Sequence, residues 1–223
     1  MTLSIAGHCP ETGMLGCAVT SSSICVASRC LFTRAGVGAA LTQNVTDPSL
    51  GEKMLNLLES EGDVKTALSR VVSEANHIQW RQLVLLDSMG RSALHTGKEV
   101  LGLHATVQGN QCAAAANLLA NKSVPSVMVE AFEKSSGHIA DRLITALEAG
   151  VTAGGEEGPV FSAGVEVAHK VRWPIVDLRV DWDDEPISKL QTILNEYQPQ
   201  VEAYLTRALN PDDAPSYGVP GDM

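Results

Sequence analysis

A chain of 223 residues with 44% hydrophobic and 19% charged residues is long and apolar enough to bury a large core as one domain. Its formal net charge of −10, without a cluster of Lys and Arg, argues against a nucleic-acid-binding protein. No apolar run approaches the roughly 20 residues of a membrane helix, and the N-terminus has no signal-peptide pattern. We therefore expect a soluble cytoplasmic protein with no membrane partner.

The first predicted element is a β-hairpin. Residues 2–9 and 14–21 have the character of strands, and Pro10–Gly13 between them has the composition of a turn. Counting outward from that turn gives the register of the hairpin. The pairs are Thr2 with Ser21, Ser4 with Val19, and Ala6 with Cys17. A third strand, rich in small residues, is predicted over 36–44.

A pair of helices is predicted next. Asp47 and Pro48 are typical of a helix start, as the N-cap and the first helical residue. Gly62 is expected to end this helix, and a second one is expected to begin near Asp63. Both stretches keep apolar residues on one helical face, which predicts a helical hairpin.

The second half repeats the order of strands followed by helices. The predicted strands are 81–87, 91–96, 103–108, 161–168 and 175–180, with an Ala-rich stretch over 111–120. The predicted helices cover about 124–134 and 138–149, then begin near 184 and cover 201–208. The Gly-rich segment 154–159 must be a loop. We assign residues 1–209 to a single domain and 210–223 to an extended C-terminal tail.

The helices thus come in pairs and do not alternate singly with strands. That order disfavours a doubly wound parallel sheet. It favours an α+β protein in which helical hairpins lie on two mainly antiparallel sheets.

We expect the five cysteines to be reduced thiols. Their number is odd and none belongs to a CxxC pair, so neither disulfides nor zinc is indicated. They are Cys9, Cys17, Cys25, Cys30 and Cys112. The acidic run 181–185 is open to interpretation as a metal cluster, but it fits a helix N-terminus better. We expect no metal and no cofactor.

Thr2 is the residue with the clearest capacity for nucleophilic catalysis. Once residue 1 is removed, Thr2 carries an α-amine beside its own hydroxyl, which makes a built-in base and nucleophile. Ser21 and Ser23 are expected near this hydroxyl, with Ser21 orienting it. A one-residue bulge would bring Thr20 and Ser22 there instead. The other interpretation is a serine-rich strand end that only caps the sheet.

Several segments together resemble an uncharacterised family, domain of unknown function 1028. They are TLSIAGHCPETGMLGCAVTSSS, RAGVGAALTQN, DPSLGEKMLNLL, QLVLLDSMGR, HTG, VQGN and VDLRVD. The resemblance implies a four-layer αββα sandwich like that of N-terminal nucleophile (Ntn) hydrolases, with Thr2 as nucleophile. It implies no substrate. Family members often carry Arg and Gln before a Ser-Ala pair near the penultimate strand, and GEEGPVFSAG lacks both here.

Other polar side chains are candidates for substrate binding. They are Gln43, Asn44, Gln108 and Asn110, which follow or end predicted strands. Amides at such positions can hold an oxyanion, or they can satisfy backbone groups in turns. His95 and His104 are possible bases, but each is more often a turn or surface histidine.

Two functions therefore stay open. The first is a hydrolase that cleaves an amide-like bond in a small molecule, with Thr2 and Ser21 as catalytic residues. The second is a non-catalytic ligand-binding or assembly protein on the same scaffold. A cysteine nucleophile such as Cys9 or Cys25 is weaker, because no paired histidine is visible. Association into a homo-oligomer is possible in either case.

Overall fold

The computed structural model describes residues 2–221, and in that part of the chain two antiparallel sheets form the centre of the molecule. The strands are β1 (Thr2–His8), β2 (Leu15–Ser21), β3 (Leu31–Arg34), β4 (Gly38–Asn44), β5 (Arg81–Asp87), β6 (Ser92–Thr96), β7 (Ala105–Gly109), β8 (Cys112–Asn117), β9 (Ser162–Ala168) and β10 (Val176–Val180). The larger sheet has the order β10-β9-β2-β1-β8-β7 and the smaller one β3-β4-β5-β6.

Apart from the short α1, the helices follow the strands in pairs. They are α1 (Ala27–Cys30), α2 (Ser49–Glu61), α3 (Val64–Glu74), α4 (Val124–Lys134), α5 (Ile139–Thr152), α6 (Pro186–Tyr197) and α7 (Val201–Leu209). Short 3-10 turns lie at Ile78–Trp80, Gln198–Gln200 and Pro211–Asp213. Within residues 2–221, none of these helices has the length and apolar character needed to cross a membrane.

Three apolar cores show how the layers are stacked. One core joins the larger sheet to α4, α5 and α6, and another joins the smaller sheet to α2 and α3. The third lies between the sheets, where β1, β2 and β8 meet β4 and β5. Strand β8 of the larger sheet is buried on both faces, which explains its run of small residues Ala113–Ala116. The molecule is therefore a sandwich of two sheets between helices.

The predicted hairpin register is confirmed over the pairs that the structure describes. Ser4 lies opposite Val19, and Ala6 lies opposite Cys17. The predicted end of the first long helix is also confirmed. Gly62 takes the left-handed conformation, with φ of 69°, and its N–H donates to the Leu58 carbonyl at 2.9 Å. Glycine adopts this conformation without the steric cost of a Cβ atom.

Three local expectations need correction. Helix α2 begins at Ser49, one residue later than expected, and Asp47 Oδ1 accepts from the Ser49 N–H at 3.1 Å. The Ala-rich stretch contains strand β8. Residues 27–34, to which the sequence assigned no element, form α1 and β3. These elements have four residues each, too few to show a periodicity.

The C-terminal segment is tied to α7. Arg207 lies over the Tyr217 ring at 3.7 Å, and its Nη2 donates to the carbonyls of Pro215 and Ser216 at 2.9 and 3.2 Å. The domain limits proposed from sequence, 1–209 and 210–223, stay a prediction. Residues 1, 222 and 223 of those segments lie outside the described residues.

The core between the sheets predicts a clear difference between two leucine substitutions. Leu41 is fully buried there, whereas Leu209 is 64% exposed. We expect Leu41→Ala to lower the free energy of unfolding by about 2–5 kcal/mol, because it leaves a cavity. Leu209→Ala should change it by less than about 0.5 kcal/mol. Urea unfolding measures both, and equal effects would contradict the layered core described above.

Candidate functional site

The candidate site lies at the end of the sandwich where β1 begins. Thr2 pairs with Asn117, the last residue of β8. On its other side, the register that pairs Leu3 with Thr20 sets Ser21 opposite Thr2 when carried one residue further. Thr2 is only 6% exposed, and Ser21 is fully buried. The strand pairing thus holds the Thr2 backbone in a fixed place between two polar residues.

A chain of buried hydrogen bonds joins the two sheets beside Thr2. Ser4 Oγ donates to Gln43 Oε1 at 2.5 Å, and Gln43 Nε2 donates to Gln82 Oε1 at 2.8 Å. Asn117 Nδ2 donates to the same Gln82 oxygen at 3.2 Å, and Gln82 Nε2 donates to the Ala116 carbonyl at 3.2 Å. The four side chains are fully buried. Such a network is strong when its members are satisfied and costly when they are not.

Two acceptors at this end are not satisfied. Asn117 Oδ1 and Glu156 Oε1 are buried and have no hydrogen-bond partner among residues 2–221. The other carboxylate oxygen of Glu156 accepts from the Ser22 N–H at 3.4 Å. A backbone bridge between Leu119 and Glu156 holds the carboxylate near the end of β8. A buried acceptor without a donor costs about 1–3 kcal/mol, so two in one place call for a functional explanation.

Burial also changes the acidity of Glu156. Loss of hydration raises the pKa of this carboxyl to about 7, although its hydrogen bonds with Ser22 work in the opposite direction. The group therefore changes charge close to neutral pH. That is the range in which a general acid or base works best.

Most of the other predicted residues at this end have structural roles. Ser21 Oγ accepts from the Ser23 N–H at 3.1 Å, while Ser23 itself is exposed. Gln43 belongs to the hydrogen-bond chain between the sheets. Asn44 donates to the Trp80 carbonyl at 2.7 Å and accepts from the Leu101 N–H at 3.2 Å. Its amide therefore holds loops together, which is the alternative that the sequence analysis left open.

Gln108 and Asn110 do not join Thr2. Gln108 pairs with Ala113, four residues before Asn117 on β8, which is about 13 Å along the strand. Its amide Nε2 donates to the Ser92 carbonyl at 2.7 Å, and the Asn110 N–H donates to Glu133 at 2.7 Å. The structure therefore divides the predicted binding residues between two places.

Sequence analysis missed four residues of the site: Ser4, Gln82, Asn117 and Glu156. Three of them are polar residues next to apolar runs inside strands, as in TLSIA, RQLVLL and AAAAN. A polar residue within a buried strand was the available signal. Glu156 lies in the loop 154–159, where no local pattern marks a buried carboxylate.

All five cysteines are free, and none lies in the buried network around Thr2. Burial raises the pKa of Cys30 to about 11 and that of Cys112 to about 12, and it raises the pKa of Cys17 well above the ordinary value. Burial also acts on Cys9, but hydrogen bonds from Thr12 and nearby backbone lower its pKa overall. Among residues 2–221 no cluster of three or more Cys, His, Asp or Glu is arranged to hold a metal ion.

Comparison with known proteins places the chain in a family. The model of a family of unknown function, DUF1028, matches residues 2–190. The chain belongs to this family. It is similar to the crystal structure of protein SPO2555 from Silicibacter pomeroyi, described as a DUF1028 family-model protein. The TM-score is 0.82 and the identity 32%, over 87% of this chain and 85% of that chain.

A second likeness is much weaker. Anbu (ancestral beta-subunit) from Yersinia bercovieri aligns over 90% of this chain and 96% of that chain, with 10% identity and a TM-score of 0.37. A score this low does not establish a common fold. No curated protein matches the chain.

The buried Glu156 predicts a pH-dependent stability. Its pKa is about 7 in the folded chain and 4.5 ordinarily, so between these values the folded chain binds more protons here than the unfolded chain. The stabilisation is complete below about pH 4.5 and is lost as the pH rises through 7. In Glu156→Gln this dependence should vanish, a difference on the order of 3 kcal/mol in the free energy of unfolding.

Urea unfolding between pH 4 and pH 8 measures this difference. The adjacent, exposed Glu157 provides a matched control, because Glu157→Gln should keep the wild-type slope. Identical slopes for wild type and Glu156→Gln would show that Glu156 titrates as an ordinary surface carboxyl.

Proposed function

We propose that this DUF1028 protein is an Ntn-type hydrolase that cleaves an amide-like bond in a small molecule, with Thr2 as nucleophile. The observation that carries the proposal is the pair of unpartnered buried acceptors, Asn117 Oδ1 and Glu156 Oε1, at the start of β1. A protein that buries two such oxygens beside its second residue has a place for a donor. The α-amine of a chain that begins at Thr2 is that donor.

Removal of residue 1 is the first step in this proposal. The new α-amine has an ordinary pKa of about 7.7–8.0, so part of it is neutral near pH 7 and can take the proton of the Thr2 hydroxyl. Because Thr2 is buried at 6% exposure, removal also has to open its hydroxyl to the substrate.

The hydroxyl oxygen of Thr2 then attacks the carbonyl carbon of the substrate. The C–O bond forms as the carbonyl π electrons move to oxygen, and the collapsing intermediate expels the amine, which takes the proton held by the α-amine. Water hydrolyses the resulting ester in the same way and regenerates Thr2. No cofactor enters this sequence of steps.

The neighbouring residues have positioning roles. Asn117 Oδ1 and Glu156 Oε1 accept hydrogen bonds from the N–H groups of the Thr2 amine and so direct its lone pair toward the hydroxyl. Ser21, opposite Thr2 in the register, orients that hydroxyl. The carboxylate form of Glu156 stabilises the ammonium that forms during attack, because opposite charges attract strongly in a buried site. Asn44 and Gln108, which sequence analysis placed near the oxyanion, have their amides engaged elsewhere.

The second function is a non-catalytic ligand-binding or assembly protein. Its support is that Thr2 is buried and lines none of five cavities found among the described residues. In either function the proposed partner is a small molecule in the cytoplasm, and a homo-oligomer is compatible with both.

If the protein is this hydrolase, its N-terminus is defined and substitution of Thr2 abolishes its activity. Intact-mass analysis of protein from its native host should show a chain that begins at Thr2. In a screen of amides and acyl-amino acids, Thr2→Ala should lose at least about a thousandfold in kcat, since it lacks the nucleophile. Thr192→Ala, an exposed threonine on α6, should keep wild-type turnover.

Two results would refute the hydrolase. One is an active native protein that retains residue 1, and the other is full turnover by Thr2→Ala. If ligands raise the melting temperature of wild type and Thr2→Ala equally and no amide is cleaved, the binding function is supported instead.

A further inference from the structure

A cavity of about 530 Å³ lies between α3 and the strands β6 and β7, and Thr2 is not among its lining residues. β6 is the edge strand of the smaller sheet, and β7 is the edge strand of the larger one. The cavity therefore lies where both sheets end. Its volume is within the range of about 300–1,000 Å³ that is typical of small-molecule sites.

The lining combines a polar side with an apolar floor. Lys65, Ser69 and Ser73 follow one another at intervals of four residues, so they share one face of α3. Opposite them lie His95 and Gln108, two residues that sequence analysis singled out and that the Thr2 site does not use. The floor consists of Leu68, Val72, Ala93 and Leu94.

The polar corner on the strand side is held in place. Gln108 Nε2 donates to the carbonyl of Ser92 at 2.7 Å and contacts its Oγ at 3.0 Å. This amide connects the edge strands of the two sheets. A corner fixed by such hydrogen bonds is arranged before a ligand arrives, which lowers the entropic cost of binding.

The charge of the cavity is positive, although the chain carries −10 overall. Lys65 is the permanently charged residue of the lining, which contains no carboxylate, and no ion pair involves Lys65 among residues 2–221. The acidic residues closest to it in sequence have other partners. Asp63 caps α3 through Thr66, and Glu61 and Glu74 pair with Arg70.

We propose that this cavity binds a small amphipathic carboxylate, such as a medium-chain alkyl acid. The carboxylate pairs with the Lys65 ammonium and accepts a hydrogen bond from the hydroxyl of Ser69, one turn further along the same helix face. The alkyl chain covers Val72 and Leu94, the partly exposed apolar residues of the lining, and their removal from water supplies most of the binding free energy. None of the residues that line the cavity belongs to the Thr2 site, so this is a second, separate ligand site.

Isothermal titration with octanoate tests the proposal. Lys65→Met keeps an unbranched side chain of similar length and removes its charge, and we expect octanoate to bind this variant about ten times more weakly, about 1.4 kcal/mol. Ser73→Glu puts a negative charge on the same helix face and should abolish binding. Lys122→Met, at an exposed lysine outside the cavity, should bind octanoate like the wild type.

Ligand controls separate the contribution of the carboxylate from that of the alkyl chain. Octanol should bind at least ten times more weakly than octanoate, and acetate should not bind measurably. Equal binding of octanol and octanoate, or of octanoate by wild type and Lys65→Met, would overturn the proposal, as would no binding of octanoate at millimolar concentration. Thr2→Ala should bind octanoate normally, so this proposal and the hydrolase can fail independently.

Discussion

The hydrogen-bond chain through Ser4, Gln43, Gln82 and Asn117 is the constraint on which the rest of the site depends. It crosses the otherwise apolar space between the sheets, so it fixes one sheet against the other. It also uses the amide nitrogen of Asn117 and thereby leaves its oxygen unpaired beside Thr2. The same contacts that hold the fold together thus create an acceptor site at the start of β1.

The general architecture could be predicted because its signals are local. The turn at Pro10–Gly13 set the register of the first hairpin, and Gly62 set the end of a helix. The pairing of helices correctly indicated antiparallel sheets. What escaped prediction were α1 and β3, which are too short for periodicity, and the order of the strands. In that order β1 lies between β2 and β8. It therefore pairs with β8, whose residues are far from β1 in sequence.

The candidate site was predictable only in part, for a related reason. Thr2 and Ser21 follow from counting along one hairpin. Glu156, in contrast, reaches the site from a loop more than a hundred residues away, and nothing in GEEGPV distinguishes a buried carboxylate from a solvated one. Gln108 differs in the opposite way, since it was grouped with Thr2 as a polar residue near a strand end, whereas in the structure it pairs with Ala113, far along β8 from Asn117. Which end a residue occupies depends on strand direction, which the local sequence does not reveal.

The central claim is that Asn117 and Glu156 are arranged for the α-amine of Thr2. A crystal structure of the protein beginning at Thr2 tests it directly. We expect the Thr2 nitrogen to lie within hydrogen-bond distance, about 2.7–3.2 Å, of Asn117 Oδ1 and Glu156 Oε1. An amine that points into solvent, with both oxygens bonded to water or to other side chains, would contradict it.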